Sequence, residues 1–160
     1  MQDITFNRHA AVSYARKWAF DRNPAFYNFD KIGGDCTNFA SQSIYAGAKV
    51  MNFTNVFGWY YRSSYDRTPS WSGVEYLYNF LVTNKSVGPH ARVVSQSEAM
   101  PGDIVQLGTP SGDFYHSPVI TAITPMILVA AHSDDALDRP LNSYNYGTIR
   151  FLHIEGVRTW

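Results

Sequence analysis

The sequence predicts an α+β protein in which helices come first and antiparallel strands follow. In the first half of the 160-residue chain, apolar residues recur at the three- and four-residue intervals of amphipathic helices. In the second half the pattern changes to short runs rich in Val, Ile and Tyr, separated by turn residues. Helices followed by strands are typical of the α+β class. No linker or internal repeat divides the chain, so we expect residues 1–160 to form a single domain.

The first predicted helix begins at Asn7, because asparagine is a good helix N-cap. The apolar residues after it share one helical face: Ala11, Tyr14, Ala15 and Trp18. The segment RNPAFYNFDKIGG then ends the helix, since it contains Pro24 and the Gly33–Gly34 pair.

Two further helices are predicted before the strands begin. The second is expected to begin near Asp35 and to end at Gly47, and its adjoining positions are Cys36, Phe39, Ala40, Ser43 and Ile44. Ser72 and Glu75 have the spacing of a capping box, which predicts a third helix at this point. Its apolar stripe is Val74, Leu77, Tyr78 and Leu81.

Five predicted strands complete the chain, in the segments ARVVSQ, GDIVQLG, YHSPVITAIT, MILVAAHS and GTIRFLHIEGV. A bend at Thr124 and Pro125 predicts that the third and fourth strands form a hairpin. In such a hairpin His132 or Asp134 would lie opposite His116. Both residues are candidates because side chains two residues apart on a strand point to the same face.

The charge balance excludes a general attraction to nucleic acid or to anionic lipid. Lys and Arg total 13 residues and Asp and Glu total 13, so the formal net charge is zero. No run of about 18 apolar residues is present, so we expect no membrane insertion. We also expect the protein to be a monomer. The N-terminal segment lacks the apolar core of a signal peptide, and an upstream signal or further domains of a longer natural protein stay open.

The only cysteine, Cys36, has two interpretations. A lone cysteine cannot form an internal disulfide and is often an inert buried residue. Its context favours a nucleophile, because Gly33–Gly34 permits a sharp turn and close approach of a substrate. With Asp35 as N-cap, Cys36 would lie in the first helical turn, where the dipole and free amides stabilise a thiolate and an oxyanion.

A cysteine nucleophile needs a base, and the chain has five histidines. For His9, His90 and His153 an ordinary surface or core role is the better interpretation. His116 opens a strand beside a turn-forming loop, so it can face a helix N-terminus across a cleft. His132 closes the partner strand, which makes a Cys–His pair with a third polar residue sterically available.

Five blocks occur in a specific order along the chain: GGDCTNFASQ, PSWSGVEYL, PGDIVQL, HSPVIT and AHSDDALDRPL. Together, from about Asn7 to Phe151, they resemble the bacterial putative amidase domain family. This family belongs to the papain-like cysteine hydrolases, alongside the NlpC-type and CHAP-type peptidoglycan hydrolases. The resemblance implies a papain-like fold in which a Cys-bearing helix packs on a C-terminal antiparallel sheet that carries the His.

The same resemblance implies roles for individual residues. Cys36 would be the nucleophile and His116 the general base, later the general acid. A third, orienting position falls on the strand after His116, with His132 as first choice and Asp134 as second. The chain would then be a cysteine amidase or peptidase that requires no cofactor.

The resemblance also bears on the oxyanion hole. Papain carries a donor Gln six residues before its Cys, but here that position is Asp30, which cannot donate when ionised. Tyr27 is a substitute, because related cell-wall hydrolases use an upstream Tyr, and the Cys36 amide is the other donor. Further oxyanion or substrate candidates are Asp35, Asn38, Gln42, Trp59 and Trp71. Buttressing of the helix is the alternative for the two amides, and packing is the alternative for the tryptophans.

Two other classes of function remain as alternatives. A metal-dependent amidase could use ligands from His116, His132, Asp134, Asp135 and Asp138, but neither HExxH nor CxxC spacing is present. A wall-binding module of the same fold, without activity, is the other. The resemblance to this family and its cell-wall relatives implies a substrate in bacterial peptidoglycan, either the peptide cross-bridges or the lactoyl–peptide amide. It also implies that the protein is extracellular or associated with the cell wall.

Overall fold

The computed structural model describes residues 1–160 and confirms the α+β class. The four α-helices are α1 (Arg8–Trp18), α2 (Cys36–Ala48), α3 (Pro69–Ser72) and α4 (Val74–Thr83). Two short 3₁₀ helices span Gln96–Glu98 and Leu141–Ser143. The strands are β1 (Gln2–Ile4), β2 (Tyr61–Ser63), β3 (Asp66–Arg67), β4 (Gly88–Val94), β5 (Ile104–Gly108), β6 (Phe114–His116), β7 (Val119–Ala122), β8 (Leu128–Ala131), β9 (Ala136–Pro140) and β10 (Thr148–Thr159).

The first two helices form largely as their sequences predict. Asn7 caps α1, since its Oδ1 accepts a hydrogen bond from the Ala10 amide at 3.0 Å. The helix α2 begins at Cys36, as predicted, but it continues past Gly47 and ends where Lys49 adopts a left-handed φ of 59°. Gly47 is needed for close packing instead, because a Cβ at this position would lie 2.6 Å from the Asn7 carbonyl oxygen.

The predicted third helix is divided in two. Gly73 has extended backbone dihedrals and separates α3 from α4. Ser72 does not cap a helix, because its Oγ accepts a hydrogen bond from Arg67 Nε at 3.0 Å. The capping-box interpretation of Ser72 and Glu75 is therefore wrong, although α4 carries the predicted apolar residues Leu77 and Leu81 into the core.

Eight strands form one curled antiparallel sheet, and β2 and β3 form a separate hairpin. The order in the large sheet is β1-β10-β5-β7-β8-β9, with β4 also on β10 and β6 also on β5. The hairpin of β7 and β8 is confirmed, with Val119 paired to Ala130. The predicted pairing of His132 or Asp134 with His116 is wrong, because His116 ends β6 and pairs with Leu107 of β5.

The sheet separates two hydrophobic clusters. The larger one lies between the helices and the sheet and includes Phe39 of α2 together with Ile104 and Val119. The smaller one includes the neighbouring residues Val105 and Ile120, whose side chains point to the other face. No helix is both long enough and apolar enough to cross a membrane.

Candidate active site

Cys36 is the first residue of α2 and follows a turn made by two glycines. Gly33 and Gly34 have φ angles of 83° and 97°. Residues with a side chain rarely adopt such angles, so glycine suits both positions. A Cβ on Gly34 would also lie 3.3 Å from Ser133 Oγ. This Oγ accepts a hydrogen bond from the Asp35 amide at 3.0 Å, so the turn is tied to the segment after β8.

The Cys36 sulfur lies beside the backbone of His116. Cys36 is 8% exposed, and its Sγ is 3.9 Å from the Tyr115 carbonyl oxygen. The Ser117 backbone amide also hydrogen-bonds to the sulfur, and Thr37 Oγ1 lies 3.7 Å from it. The thiol is therefore held between the two residues that flank the predicted base.

The resting thiol is protonated at neutral pH. Burial raises the pKa of Cys36 above its usual value, and the hydrogen bonds from Thr37 and the Ser117 amide offset this effect only in part. The helix N-terminus therefore does not produce the stable thiolate that the sequence predicted.

His116 is a neutral imidazole with free nitrogens. It is 7% exposed, and burial lowers its pKa to about 4, with the Arg139 charge acting in the same direction and Asp134 opposing it. Its partner Leu107 belongs to the smaller cluster, so the His116 ring lies on that face of the sheet. The thiol contacts the backbone on either side of His116, and no hydrogen bond joins the thiol to the His116 ring.

His132 lies on the other face of the sheet from His116, beside the larger cluster, and forms a buried pair with Asp35. Both residues are 1% exposed, and His132 Nδ1 lies 2.6 Å from Asp35 Oδ2. His132 Nε2 donates to the Trp18 carbonyl oxygen at 2.7 Å, and the His132 ring stacks on Phe39 with centroids 4.0 Å apart. His132 thus holds the start of α2 against the end of α1.

Asp35 is ionised, which fixes the donor in this pair. Burial opposes ionisation, but hydrogen bonds from His132, Asn38 Nδ2 and the Phe29 amide outweigh it and hold the pKa of Asp35 below its usual value. Arg22 Nε also lies near this carboxylate, 3.7 Å from Asp35 Oδ2. A carboxylate only accepts, so His132 Nδ1 is the donor in its hydrogen bond to Asp35.

The two third-position candidates have different surroundings. Both nitrogens of His132 are occupied by Asp35 and Trp18, so His132 makes no hydrogen bond to His116. Asp134 is exposed, has a positive φ of 70°, and affects His116 only through its charge. The identity of the orienting group stays a prediction.

The polar candidates on α2 make contacts that match buttressing. Asn38 Nδ2 donates to the Tyr27 carbonyl oxygen at 2.9 Å, and Asn38 Oδ1 accepts from Trp71 Nε1 at 2.9 Å. Gln42 Oε1 accepts from the Tyr14 hydroxyl at 2.5 Å. Trp59 and Trp71 are fully buried in the larger cluster, which matches the packing alternative, so a substrate contact by either one stays a prediction.

The upstream donor candidates lie in the loop between α1 and α2. The Tyr27 side chain is 44% exposed and packs edge-on against Phe29, and its hydroxyl is free. Asp30 accepts hydrogen bonds from Arg22 at 2.8 and 3.1 Å. Tyr27 as an oxyanion donor therefore stays a prediction.

The residues named for a metal site are not gathered around one point. Asp135 is bound to Arg22 at 2.9 Å, and Asp138 accepts from Thr121 Oγ1 at 2.6 Å. No group of three or more His, Cys, Asp or Glu side chains is arranged to hold a metal ion.

Sequence reasoning missed a buried polar chain behind the thiol. Thr37 Oγ1 and Ser117 Oγ share a hydrogen bond of 3.3 Å, and Gln106 Nε2 donates to Ser117 Oγ at 3.1 Å. Arg150 then donates to Gln106 Oε1 at 2.6 Å. The only signal was a glutamine within the apolar strand IVQLG, where a partner was to be expected.

Comparison with known proteins gives two matches. The family described as "Putative amidase domain" matches residues 5–154. An uncharacterized protein of Bacillus subtilis (strain 168), YhbB, is 33% identical over 120 residues, which cover 73% of this chain and 37% of that protein. The chain thus corresponds to little more than a third of this relative, and no solved structure matches it.

The family match extends over nearly the whole chain and includes the Cys36 turn, β6 and the segment after β8. Its description points to the hydrolysis of amide bonds. This protein belongs to the putative amidase domain family.

Proposed function

We propose that the protein is a cysteine amidase in which Cys36 attacks an amide carbonyl and His116 acts as base and acid. The observation that carries the proposal is the position of the Cys36 sulfur, which lies at the start of α2 between the Tyr115 carbonyl and the Ser117 amide. Acyl transfer needs a nucleophile with free amides near it and a base within reach, and the sulfur here lies at a helix start against the segment that carries His116.

The chemistry begins from a neutral thiol and a neutral imidazole. Since the pKa of Cys36 is raised and that of His116 lowered, proton transfer has to accompany attack. The sulfur bonds to the carbonyl carbon while its proton moves to His116. His116 returns this proton to the amine as the C–N bond breaks, and water then hydrolyses the thioester with His116 again as base.

Two features of the site support these steps. The Cys36 amide has no intrahelical partner at the first position of α2, so it can donate to the oxyanion. One such donor is worth about 3 kcal/mol in enzymes where it was removed. In the resting protein the His116 ring lies on the smaller-cluster face, so it must approach the thiol from that face when substrate binds. Catalytic hydrogen bonds commonly tighten only at this stage.

The proposed substrate is a peptide or amide linkage of bacterial peptidoglycan. Support comes from the resemblance to the putative amidase domain family, through the relation of that family to the NlpC-type and CHAP-type hydrolases. Exposed aromatic side chains, Tyr27 before the nucleophile and Tyr115 beside it, offer surfaces for a peptide. We further propose that residues 1–160 act as a single papain-like domain, as a monomer, outside the cell or at the wall.

Incubation with purified muropeptides, followed by product identification by mass, tests this function. We expect cleavage at one type of amide bond by the native protein and none by Cys36→Ser or His116→Ala. His9→Ala, at an exposed position on α1, is the matched control and should retain activity. Undiminished cleavage by Cys36→Ser would contradict the cysteine mechanism, whereas binding of wall fragments without any product would favour a binding module.

A further inference from the structure

Tyr144 carries the one buried side-chain polar atom that has no hydrogen-bond partner, its hydroxyl oxygen. The residue as a whole is only half-buried, so the ring enters the protein with the hydroxyl end inward. Buried hydroxyls are normally satisfied, because an unpartnered one has lost its hydrogen bonds to water. A ligand or a transient partner would account for this exception.

The ring of Tyr144 is held firmly beside His116. Its centroid lies 5.8 Å from that of the His116 ring, with an angle of 48° between the planes. The Arg139 guanidinium carbon lies 3.6 Å from the Tyr144 centroid on the ring face. Arg139 Nε also donates to Ser143 Oγ at 2.8 Å, so the 3₁₀ turn that precedes Tyr144 is fixed.

The reaction creates a need that this hydroxyl can meet. When His116 takes the proton of Cys36, both ring nitrogens become donors. One N–H has to face the leaving amine, and the other requires an acceptor. His132 cannot serve without giving up Asp35 or Trp18, and Asp134 is exposed to solvent, where its pull on a buried ring is weak.

We propose that Tyr144 is a positioning residue whose phenol oxygen accepts a hydrogen bond from His116 when His116 becomes an imidazolium. The inference rests on the proposed function, since at neutral pH the ring gains its proton through the Cys36–His116 reaction. Tyr144 keeps its own proton throughout, because burial raises its pKa and the nearby Arg139 guanidinium, which makes no hydrogen bond of normal geometry to the hydroxyl, offsets this only in part. No covalent bond changes at Tyr144.

Tyr144→Phe tests the role with little structural change. The ring and its contact with Arg139 remain, and the variant removes an unpartnered hydroxyl, so the melting temperature should stay the same or rise. We expect kcat to fall about tenfold or more, short of the loss of about 10²–10⁴ that removal of a general acid–base group causes. KM should change less than twofold, because no substrate contact is lost.

A second readout does not depend on turnover. In a Cys36→Ala background, NMR titration of the His116 ring should give a lower pKa in Tyr144→Phe than in its parent, because the acceptor that favours imidazolium is missing. The acid limb of the kcat/KM profile should move in the same direction. Tyr146→Phe, an exposed tyrosine two residues further on, should change neither quantity.

The outcomes of these experiments distinguish a failure of the proposed Tyr144 role from a failure of the proposed Cys36–His116 mechanism. Full activity in Cys36→Ser or His116→Ala overturns the mechanism and the role of Tyr144 with it. Loss of activity in those variants with unchanged kcat and unchanged His116 titration in Tyr144→Phe overturns only the role of Tyr144. The role is also overturned if Tyr144→Phe lowers the melting temperature together with kcat, or if Asp134→Asn reproduces the NMR shift and Tyr144→Phe does not.

Discussion

At the scale of single residues, Cys36 and His116 are each uncharged in the resting protein for the same reason, which is burial. The sequence predicted an activated thiolate from the helix start, but the sulfur lies under the β6 backbone, where desolvation outweighs the helix amides. Helix position was readable from the glycine pair and Asp35. The depth of the thiol was not, since it depends on how β6 packs on α2.

The pH dependence of Cys36 alkylation follows from this state. Because the pKa of the thiol is raised, the rate of reaction with iodoacetamide should keep rising through pH 9. A preformed thiolate–imidazolium pair would instead give a plateau at mildly acidic pH. Intact mass measured over a pH series reports the rate, and a rate that levels off below pH 7 would contradict the neutral pair.

The buried hydrogen bond between Asp35 and His132 predicts a large stability effect one residue before the nucleophile. Asp35→Asn removes the carboxylate that accepts hydrogen bonds from His132, Asn38 and the Phe29 amide, and the loss of one partner from a buried pair costs about 3–5 kcal/mol in comparable cases. Urea unfolding at pH 7 measures the loss. Asp30→Asn removes a half-exposed partner of Arg22 and should cost less than about 1 kcal/mol.

The same variant has a pH signature. The folded pKa of Asp35 lies below the unfolded value, so its contribution is present above about pH 4 and is lost as the pH falls through the folded pKa. Asp35→Asn should therefore flatten the stability curve below pH 4. Equal losses of stability in Asp35→Asn and Asp30→Asn would show that the buried Asp35–His132 pair contributes no more to the free energy of unfolding than a surface pair does.

At the scale of elements, local signals located the helices better than their ends. The stripes of α1 and α4 and the start of α2 were predicted, because periodicity and glycine turns are local properties. Gly47 was interpreted as a helix end, yet it is buried within α2 against Asn7. The sequence shows that a glycine is present but not which neighbouring backbone requires it.

Gly47→Ala has an effect whose sign tests this packing. In an exposed helix interior the change would stabilise by about 1 kcal/mol. Here the new Cβ would lie 2.6 Å from the Asn7 carbonyl oxygen, so α1 and α2 must separate, and we expect a loss of about 1–3 kcal/mol. Thermal unfolding measures the difference, and a more stable variant would contradict the close approach of the helices.

At the scale of the whole molecule, the sheet decides which chemistry is brought together. The α+β class and the β7–β8 hairpin were predictable from alternating strands and the Thr124–Pro125 bend. The pairing of β6 with β5 was not, and it places His116 beside Tyr144 instead of opposite His132. Register is a long-range property, so a two-residue alternation alone does not determine which strand lies next to His116.

Burial of His116 between the sheet and Tyr144 makes overall stability depend on pH. The pKa of His116 is about 4 in the folded protein and near 6.5 in the unfolded chain. The unfolded chain binds more protons between these values, so stability is complete above about pH 6.5 and falls by about 3 kcal/mol as the pH approaches 4. His116→Gln should remove this slope, and an unchanged slope in the variant would assign it to other groups.

The central claim is that Cys36 forms a covalent acyl intermediate during amide hydrolysis. Intact mass spectrometry of the protein, quenched with acid during turnover of a muropeptide, tests it most directly. We expect an added mass equal to the acyl part of the substrate, located on Cys36 by peptide mapping and absent from Cys36→Ser. Turnover at the native rate with no adduct, or an adduct on another residue, would contradict it.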